Sequence, residues 1–457
     1  MRMISIESIP RLEGHGKIEI FLDQEGNVER AYYQIPRLRG FEKFCEGRPA
    51  EEMPRITSRI CGGCSTAHHM ASTKTLDDLF SVEPPSIALK IRELMYIASI
   101  AEYHLFHFFF LGGPDLVCGP KTPAEQRNIT GVLAKIGAEA KGKLIEIRKR
   151  LRGVIEAIGG RMIHPVCGLP GGVSKPVTEE ERKAFIRAAE FLVEFSVFVA
   201  FDLWENTVLK NKECLDLITG DTYSHTTYYM GLVDEANKVN FFDGRIRIVD
   251  PDGREVSLFL PQEYGDYIRQ HVEPWTYIRF SYLKNPGWKG FVDGQESGVF
   301  RTGPLARLNA ADGMATPLAQ EYYEKMYAAL GGKPSHNALA FHWARLIEIL
   351  YISERMLELV GDPELTSPDV INLPTETPAK GTGVVEAPEG TVFHHYETDK
   401  KGMITGVNVI SPTQNNAAAL CMSVEKAAQS FIKKGDVSDE VLNMIQMAVR
   451  AYGPCGA

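Results

Sequence analysis

The sequence contains a single Cys-x-x-Cys, at Cys61 and Cys64, and no second one. Its other cysteines, Cys45, Cys118, Cys167, Cys214, Cys421 and Cys455, stand alone. That spacing argues against a four-cysteine zinc ribbon and against an iron–sulfur cluster held by this chain. Eight cysteines in 457 residues are too sparse for a disulfide scaffold and fit a reduced, cytoplasmic setting. Basic excess is absent too: the net charge is -9, which speaks against a nucleic-acid-binding face. There is no signal pattern, since Met1 leads straight into the alternating Ile4-Ser5-Ile6-Glu7. A bilayer span is not expected either, because the most apolar stretch, Met95 to Gly112, carries Glu102, His104 and His107. Neither an internal repeat nor a low-complexity tract appears. What remains is a soluble globular chain, ordinary at 44% hydrophobic and 24% charged residues, and long enough to bury a large core.

Ser5 to Gln34 alternates apolar and polar residues around Gly26-Asn27, which predicts a hairpin or short sheet, interrupted early by Gly14-His15-Gly16. Gly40 to Pro54 is charged and irregular. Helices are predicted over Ala67–Phe80, Ser86–Leu111, Ala124–Ile158 and Glu179–Leu209, the second stopped by Gly112-Gly113-Pro114 and the last opened by Thr178 as N-cap. Several are apolar around much of their circumference, as in the core of a large bundle. From Thr222 to Gly303, runs such as Arg245-Ile246-Arg247-Ile248-Val249 alternate with Pro, Gly and Asp, and the aromatics Trp275, Tyr277, Phe280, Tyr282 and Trp288 cluster. This predicts an inserted strand-and-loop lobe. Helices resume over Pro317–Leu330 and Asn337–Val360, and a connector runs from Pro363 to Pro378. Gly381 to Val409 reads as a second strand region, with Asn415–Lys434 and Ser438–Tyr452 as closing helices. The expected fold is mainly α with small β lobes (α+β), built as one body. Its expected parts are an N-terminal β region (1–66), a helical core (67–221), the inserted lobe (222–303) and a final helical and β segment (304–457).

The chemistry gathers at Arg59-Ile60-Cys61-Gly62-Gly63-Cys64 and at His68. Two thiols three residues apart can be buried cysteines, half a zinc site, a redox dithiol or part of a larger centre completed from elsewhere. The opposite end of the chain, Tyr452-Gly453-Pro454-Cys455-Gly456-Ala457, offers one further thiol.

The surrounding wording is more specific. Arg39-Gly40-Phe41-Glu42, Gly47-Arg48 and Pro54 precede the cysteine pair. Arg11-Leu12-Glu13-Gly14-His15 comes earlier, and Gly160-Arg161, His164-Pro165 and Pro170-Gly171-Gly172 lie mid-chain. Gly303-Pro304-Leu305-Ala306-Arg307-Leu308-Asn309, Glu386-Ala387-Pro388 and Thr413-Gln414-Asn415-Asn416 complete an ordered series. Together these resemble the signatures of the large, catalytic subunit of nickel–iron hydrogenases. The wording is most similar to the cytoplasmic, methyl-viologen-reducing type that partners heterodisulfide reductase.

The resemblance implies the hydrogenase large-subunit fold, with four thiolates holding nickel and iron, and CO and cyanide on the iron. Soft thiolates suit such a redox-active centre. By position Cys61 would be a terminal nickel ligand, Cys64 a nickel–iron bridge and Cys455 a third ligand. His68, four residues after Cys64, would hydrogen-bond the bridging sulfur if a helix begins there, and Arg59 would lie close outside the ligands. Glu13 matches the proton gate and Asp115 a polar residue over the active site, both counted with the catalytic groups. Glu42 matches the carboxylate that holds a magnesium-type ion. Read without the resemblance, these are a core histidine, a polar residue in a turn-rich strand, a helix-end turn residue and a surface glutamate. The implied partners are an iron–sulfur small subunit with further electron-transfer subunits.

Two positions depart from the pattern. The family closes with Asp-Pro-Cys-x-x-Cys-x-x-His, where this sequence has Gly453-Pro454-Cys455 and stops at Ala457, before the second cysteine and the histidine. A separate short polypeptide could supply those ligands, as in relatives that are split near this point. The family's Glu-Ala-Pro-Arg-Gly carries an arginine over the open metal site, where this sequence has Glu389. The expectation is therefore a vacated or remodelled centre. Two functions stay open: a hydrogen-splitting subunit, or a structural subunit that has lost its centre and holds an electron-transfer assembly together.

Overall fold

A computed structural model describes residues 2–38, 40–376 and 379–455. Arg39 of the first signature, Pro378 at the connector's end, and Gly456 and Ala457 lie outside the described residues. The architecture is a helical core with small sheets around it. The N-terminal sheet has three antiparallel strands, Arg2–Ile6, Lys17–Leu22 and Val28–Gln34, one more than a hairpin. Its inward residues Ile18, Ile20 and Leu22 alternate with partly exposed ones, the period of a half-buried strand.

The predicted helices form, with shifted ends. Ser65–Leu79 follows directly on Cys64, its N-cap residue. Ser86–Phe106 continues into a wider π turn, His107–Leu111, before Gly112. The third helix starts at Ile129 rather than Ala124, because Asn128 caps it by accepting from Thr130 N and Gly131 N at 2.8 and 3.2 Å. Thr178 does open Glu179–Val197, in a reciprocal capping box with Glu181, and the helix widens to π geometry over Phe198–Leu209. The closing helices are Pro412–Phe431 and Asp439–Tyr452. Ser86–Leu111 is long and apolar enough to cross a bilayer, yet 78% of its apolar window is buried inside the fold.

Between residues 222 and 303 the strands form a four-stranded sheet, which Phe300–Arg301 joins in parallel, and a separate two-stranded one. Lys380–Ala387, Gly390–Thr398 and Ile404–Ile410 make a further antiparallel sheet packed on the Ser65–Leu79 helix. This contact brings the turn after Ala387 towards the cysteine pair.

One charged cluster inside the core is fully paired. Arg307 donates to Glu348 at 2.7 and 2.9 Å and to Glu386 at 2.7 Å, all three side chains being fully buried. Burial alone would pull the arginine's pKa down, but the two carboxylates outweigh it and keep it charged. His104 Nε2 lies 2.8 Å from Glu348 Oε2 and extends the cluster. Removing one member of such a cluster strands the others in a dry interior. We expect Arg307→Met to destabilise the protein by about 3–5 kcal/mol, read as a lowered denaturation midpoint.

Candidate metal centre

Cys61 and Cys64 lie in the turn that feeds the Ser65–Leu79 helix, both almost fully buried. Cys455 arrives from the far end of the chain, with its Sγ 2.8 Å from Cys61 Sγ. The three sulfurs lie within 4.8 Å of one another. Cys64 N–H donates to Cys61 Sγ at 3.1 Å. Cys61 and Cys64 lie away from water, so these two thiols hold their protons, while Cys455 is only partly buried. Burial and the neighbouring Cys455 raise the Cys61 pKa well above the usual thiol value, and contact with Cys455 and Cys61 does the same for Cys64. A soft, thiophilic metal is the ligand such a cluster suits, and binding one would displace those protons.

Three contacts fix Cys455. Arg450, at the end of the last helix, donates to Asp115 Oδ2 at 2.7 Å and to Asn443 Oδ1 at 2.6 Å. Arg345 donates to the carbonyls of Ala451 and Tyr452 at 2.7 and 3.1 Å, which closes the helix end. Thr413, first in the Thr413-Gln414-Asn415-Asn416 run, takes the Cys455 N–H at 3.0 Å and donates to its carbonyl at 2.9 Å. Gly453 turns the chain between them at φ 65, a left-handed C-cap. A β-carbon there would come within 3.0 Å of the His107 ring and 3.4 Å of Arg345.

Glu13 joins the thiols. Tyr103 donates to Glu13 Oε2 at 2.9 Å, and the carboxylate lies so close over Gly63 that a β-carbon there would collide with both oxygens. Burial first, and the Cys455 sulfur second, push the Glu13 pKa up to about 7. Glu389 shares a small cavity with Cys64, His68, Thr413 and Cys455. It is 1% exposed, and neither carboxylate oxygen meets a donor in good hydrogen-bond geometry among the described residues, although the Tyr103 hydroxyl lies near enough to lower its pKa. Burial, then Cys455 and Glu13, push its pKa up to about 8. Asn416 Nδ2 donates to the Glu389 carbonyl at 3.1 Å and so holds the backbone of this turn. His68, one helical turn beyond Cys64 as expected, is buried with its Nε2 unpartnered among the described residues.

The remaining expected site residues lie elsewhere. Asp115 is buried, and its carboxylate is taken up by Arg11, Arg127 and Arg450. Burial would raise its pKa, but Arg450 and Arg11 outweigh it and hold the carboxyl below the usual range. In this structure Asp115 is an ion-pair node that ties the N-terminal segment to the last helix. Glu42 accepts from Val409 N–H at 3.0 Å and pairs with Arg279 at 3.4 Å, on the wall of a separate cleft of about 370 Å3. Arg59, two residues before Cys61, is exposed. Thr413 lies in a run that the sequence marked, whereas Tyr103, Arg345 and His394, which bonds to His68, were not singled out. Their partners lie up to 326 residues away, and no local spacing marks them.

The cofactor implied by the sequence can be tested against these atoms. The clustered thiols, with a protonatable carboxylate beside them, fit the nickel side of such a centre. An unpartnered carboxylate above them does not fit anionic cyanide, which wants a donor there.

Residues 39–166 match the family model described as nickel-dependent hydrogenase, and residues 3–38 match one described as HoxL-like. An iron-sulfur subunit of F420-non-reducing hydrogenase from Archaeoglobus profundus is 45% identical over 458 residues, covering 100% of this chain and 94% of that protein. The NAD-reducing hydrogenase HoxS subunit beta of Cupriavidus necator is 33% identical, covering 99% of this chain and 93% of that protein. Among solved structures, an NAD+-reducing nickel–iron hydrogenase in the H2-reduced state superposes with a TM-score of 0.92 at 33% identity, covering 100% of this chain and 98% of that one. The Ni-Fe-Se hydrogenase of D. vulgaris Hildenborough, at 21% identity and a TM-score of 0.76, shares the fold.

The folded state holds the protons of Glu13 and Glu389 to higher pH than the unfolded chain does. Stability from this pair is therefore full at low pH and is lost as pH rises through about 7 and about 8. In an infrared titration the protonated Glu389 carboxyl band should vanish with a midpoint near 8. Glu13→Gln removes a like charge and should lower that midpoint; an unchanged one would contradict the assigned proximity.

Proposed function

The chain belongs to the large-subunit family of nickel-dependent hydrogenases, and from that premise we propose that it serves as the large subunit of a cytoplasmic hydrogenase-type electron-transfer complex. The observation that carries this reading is the meeting of Cys61, Cys64 and Cys455 beside Glu13, three thiols with a carboxyl that titrates near neutrality. Cys61, Cys64 and Cys455 would hold the metal. A nickel–iron group bound there supplies heterolytic cleavage of hydrogen. Glu13 accepts and passes on the proton: its neighbours Gly14 and His15 are exposed, so the carboxyl links the pocket to solvent. Electrons leave through a partner, an iron–sulfur small subunit with further electron-transfer subunits of the heterodisulfide-reductase kind, because the cysteines here show no cluster spacing. Glu42 is the carboxylate available to a magnesium-type ion, as a single hard ligand.

A second reading rests on Glu389. A buried carboxyl in place of a cationic donor favours a subunit that keeps the hydrogenase body as a scaffold without the organometallic chemistry. Metal analysis of the complex, taken from cells with intact maturation, separates the two. The catalytic reading expects about one nickel per chain, infrared bands from CO and cyanide on iron, and loss of both in Cys64→Ala. A complex without nickel would overturn it and leave the scaffold reading. In the scaffold case Glu389→Arg should leave complex assembly intact, which co-purification of the partner subunits would read.

A further inference from the structure

One group facing the thiol pocket is controlled from behind. His68 turns Nε2 towards the cavity shared with Cys64, Cys455 and Glu389. Its other nitrogen, Nδ1, lies 3.0 Å from Nε2 of His394 on the Gly390–Thr398 strand. His394 Nδ1 in turn meets the Tyr396 hydroxyl, which donates to Ser72 Oγ at 2.8 Å. Ser72 lies one turn beyond His68 on the same helix, so the path closes on the element it started from. All four side chains are at most 1% exposed.

Two consequences follow from this geometry. No member reaches solvent, so the path cannot deliver a net proton, in contrast to Glu13. Burial also lowers the pKa values of His68, to about 4, and of His394, so both rings are neutral near pH 7 and each carries one N–H. A run of neutral imidazoles and hydroxyls has only two self-consistent polarities. With Tyr396 donating to Ser72, His394 must donate from Nδ1 and accept at Nε2. His68 then holds its proton on Nδ1 and offers a bare Nε2 to the pocket. With Tyr396 donating to His394 every link reverses, and His68 presents an N–H to the sulfurs instead. The two polarities hold the same number of hydrogens, each ring carrying its single proton on the opposite nitrogen.

We propose that His394, Tyr396 and Ser72 are positioning residues that set the tautomer of His68, and so decide whether the pocket meets a hydrogen-bond acceptor or a donor at that face. The Tyr396–Ser72 contact selects the acceptor form. An acceptor suits protonated thiols, and a donor suits thiolates. The inference does not depend on which reading of the metal centre holds, since it concerns the chain's own atoms.

The test is the position of one proton. In the full chain, metal-free and reduced, long-range 1H–15N correlation spectra of 15N-histidine-labelled protein report which ring nitrogen is protonated, with the His68 signals assigned by their loss in His68→Gln. Wild type should show His68 protonated at Nδ1. Ser72→Ala, made together with Thr57→Val because the Thr57 hydroxyl also lies within hydrogen-bond reach of Tyr396, leaves Tyr396 without an acceptor and turns its hydroxyl to His394, so the proton should move to Nε2 of His68. Tyr396→Phe should do the same by another route, because His394 loses the acceptor for its Nδ1–H. In His394→Gln the amide can accept from His68 and donate to Tyr396, so the wild-type tautomer should return. Finding the same His68 nitrogen protonated in wild type, the Ser72→Ala, Thr57→Val double variant and Tyr396→Phe would overturn the proposal, as would Nε2 protonation in wild type. Either variant suffices if the other fails to fold.

Discussion

Bringing two ends of one chain together in a dry pocket is the constraint on which the rest of this structure depends. Cys61 and Cys455 are 394 residues apart in sequence and 2.8 Å apart in space. Nothing in the sulfurs themselves would hold them there, because a single S–H contact attracts weakly. The work is done by charge behind them. Asp115, gripped by Arg11, Arg127 and Arg450, joins the N-terminal segment, the end of the long apolar helix and the last helix at one point. Arg345 then closes that last helix, and Thr413 catches the residue that carries the third thiol. Buried ion pairs add little net stability on their own, but each removal leaves a charge with no water to turn to. That penalty is what makes the geometry of the thiol cluster hard to relax.

Burial holds several ionisable groups around the pocket uncharged. Cys61 and Cys64 are held protonated, Glu389 keeps its proton to about pH 8 and Glu13 to about 7, and His68 is uncharged. A cation entering would therefore have to release protons from these same groups. Glu389 departs most from a hydrogenase-type centre: it adds one more ionisable proton at the place where a fixed positive charge is expected. Arg345 lies near by, its own pKa lowered to about 10 by burial and supported by Tyr103, Glu348 and Glu389. An aspartate at position 453 would point towards that guanidinium, and glycine there leaves it to those neighbours.

Much of the fold could be read from the residues. Helical periodicity and the Thr178 cap locate the core helices, and Gly26-Asn27 locates the first turn, because these signals are local. Helix ends drifted where a side-chain cap beat propensity, as at Asn128, or where the helix widened, as at His107–Leu111 and Phe198–Leu209. Cys61, Cys64, Cys455, Glu13 and His68 were legible from their motifs and do meet in space. Asp115, Glu42 and Arg59 were drawn from the same motifs, yet an ion-pair node, a separate cleft and the surface received them. A motif ties a residue to a neighbourhood of sequence, whereas its contacts are decided by which element packs there. Tyr103, Arg345 and His394 carry no motif of their own, since each acts on the site through a partner distant in sequence.

The two sides of the pocket do different work for the same reason. On one side Glu13 has a pKa near neutrality and sits beside the exposed Gly14 and His15, which is what the proposed proton-passing role requires. On the other, His68 belongs to a sealed path of neutral rings and hydroxyls that can reorient and cannot discharge. A group that must pass a proton needs a pKa close to the working pH and contact with water. A group that must only match its neighbour's donor or acceptor character needs the opposite, full burial and a pKa far from that pH. Burial thus sorts the two groups by their distance from solvent, and the sorting holds whether or not a metal completes the centre.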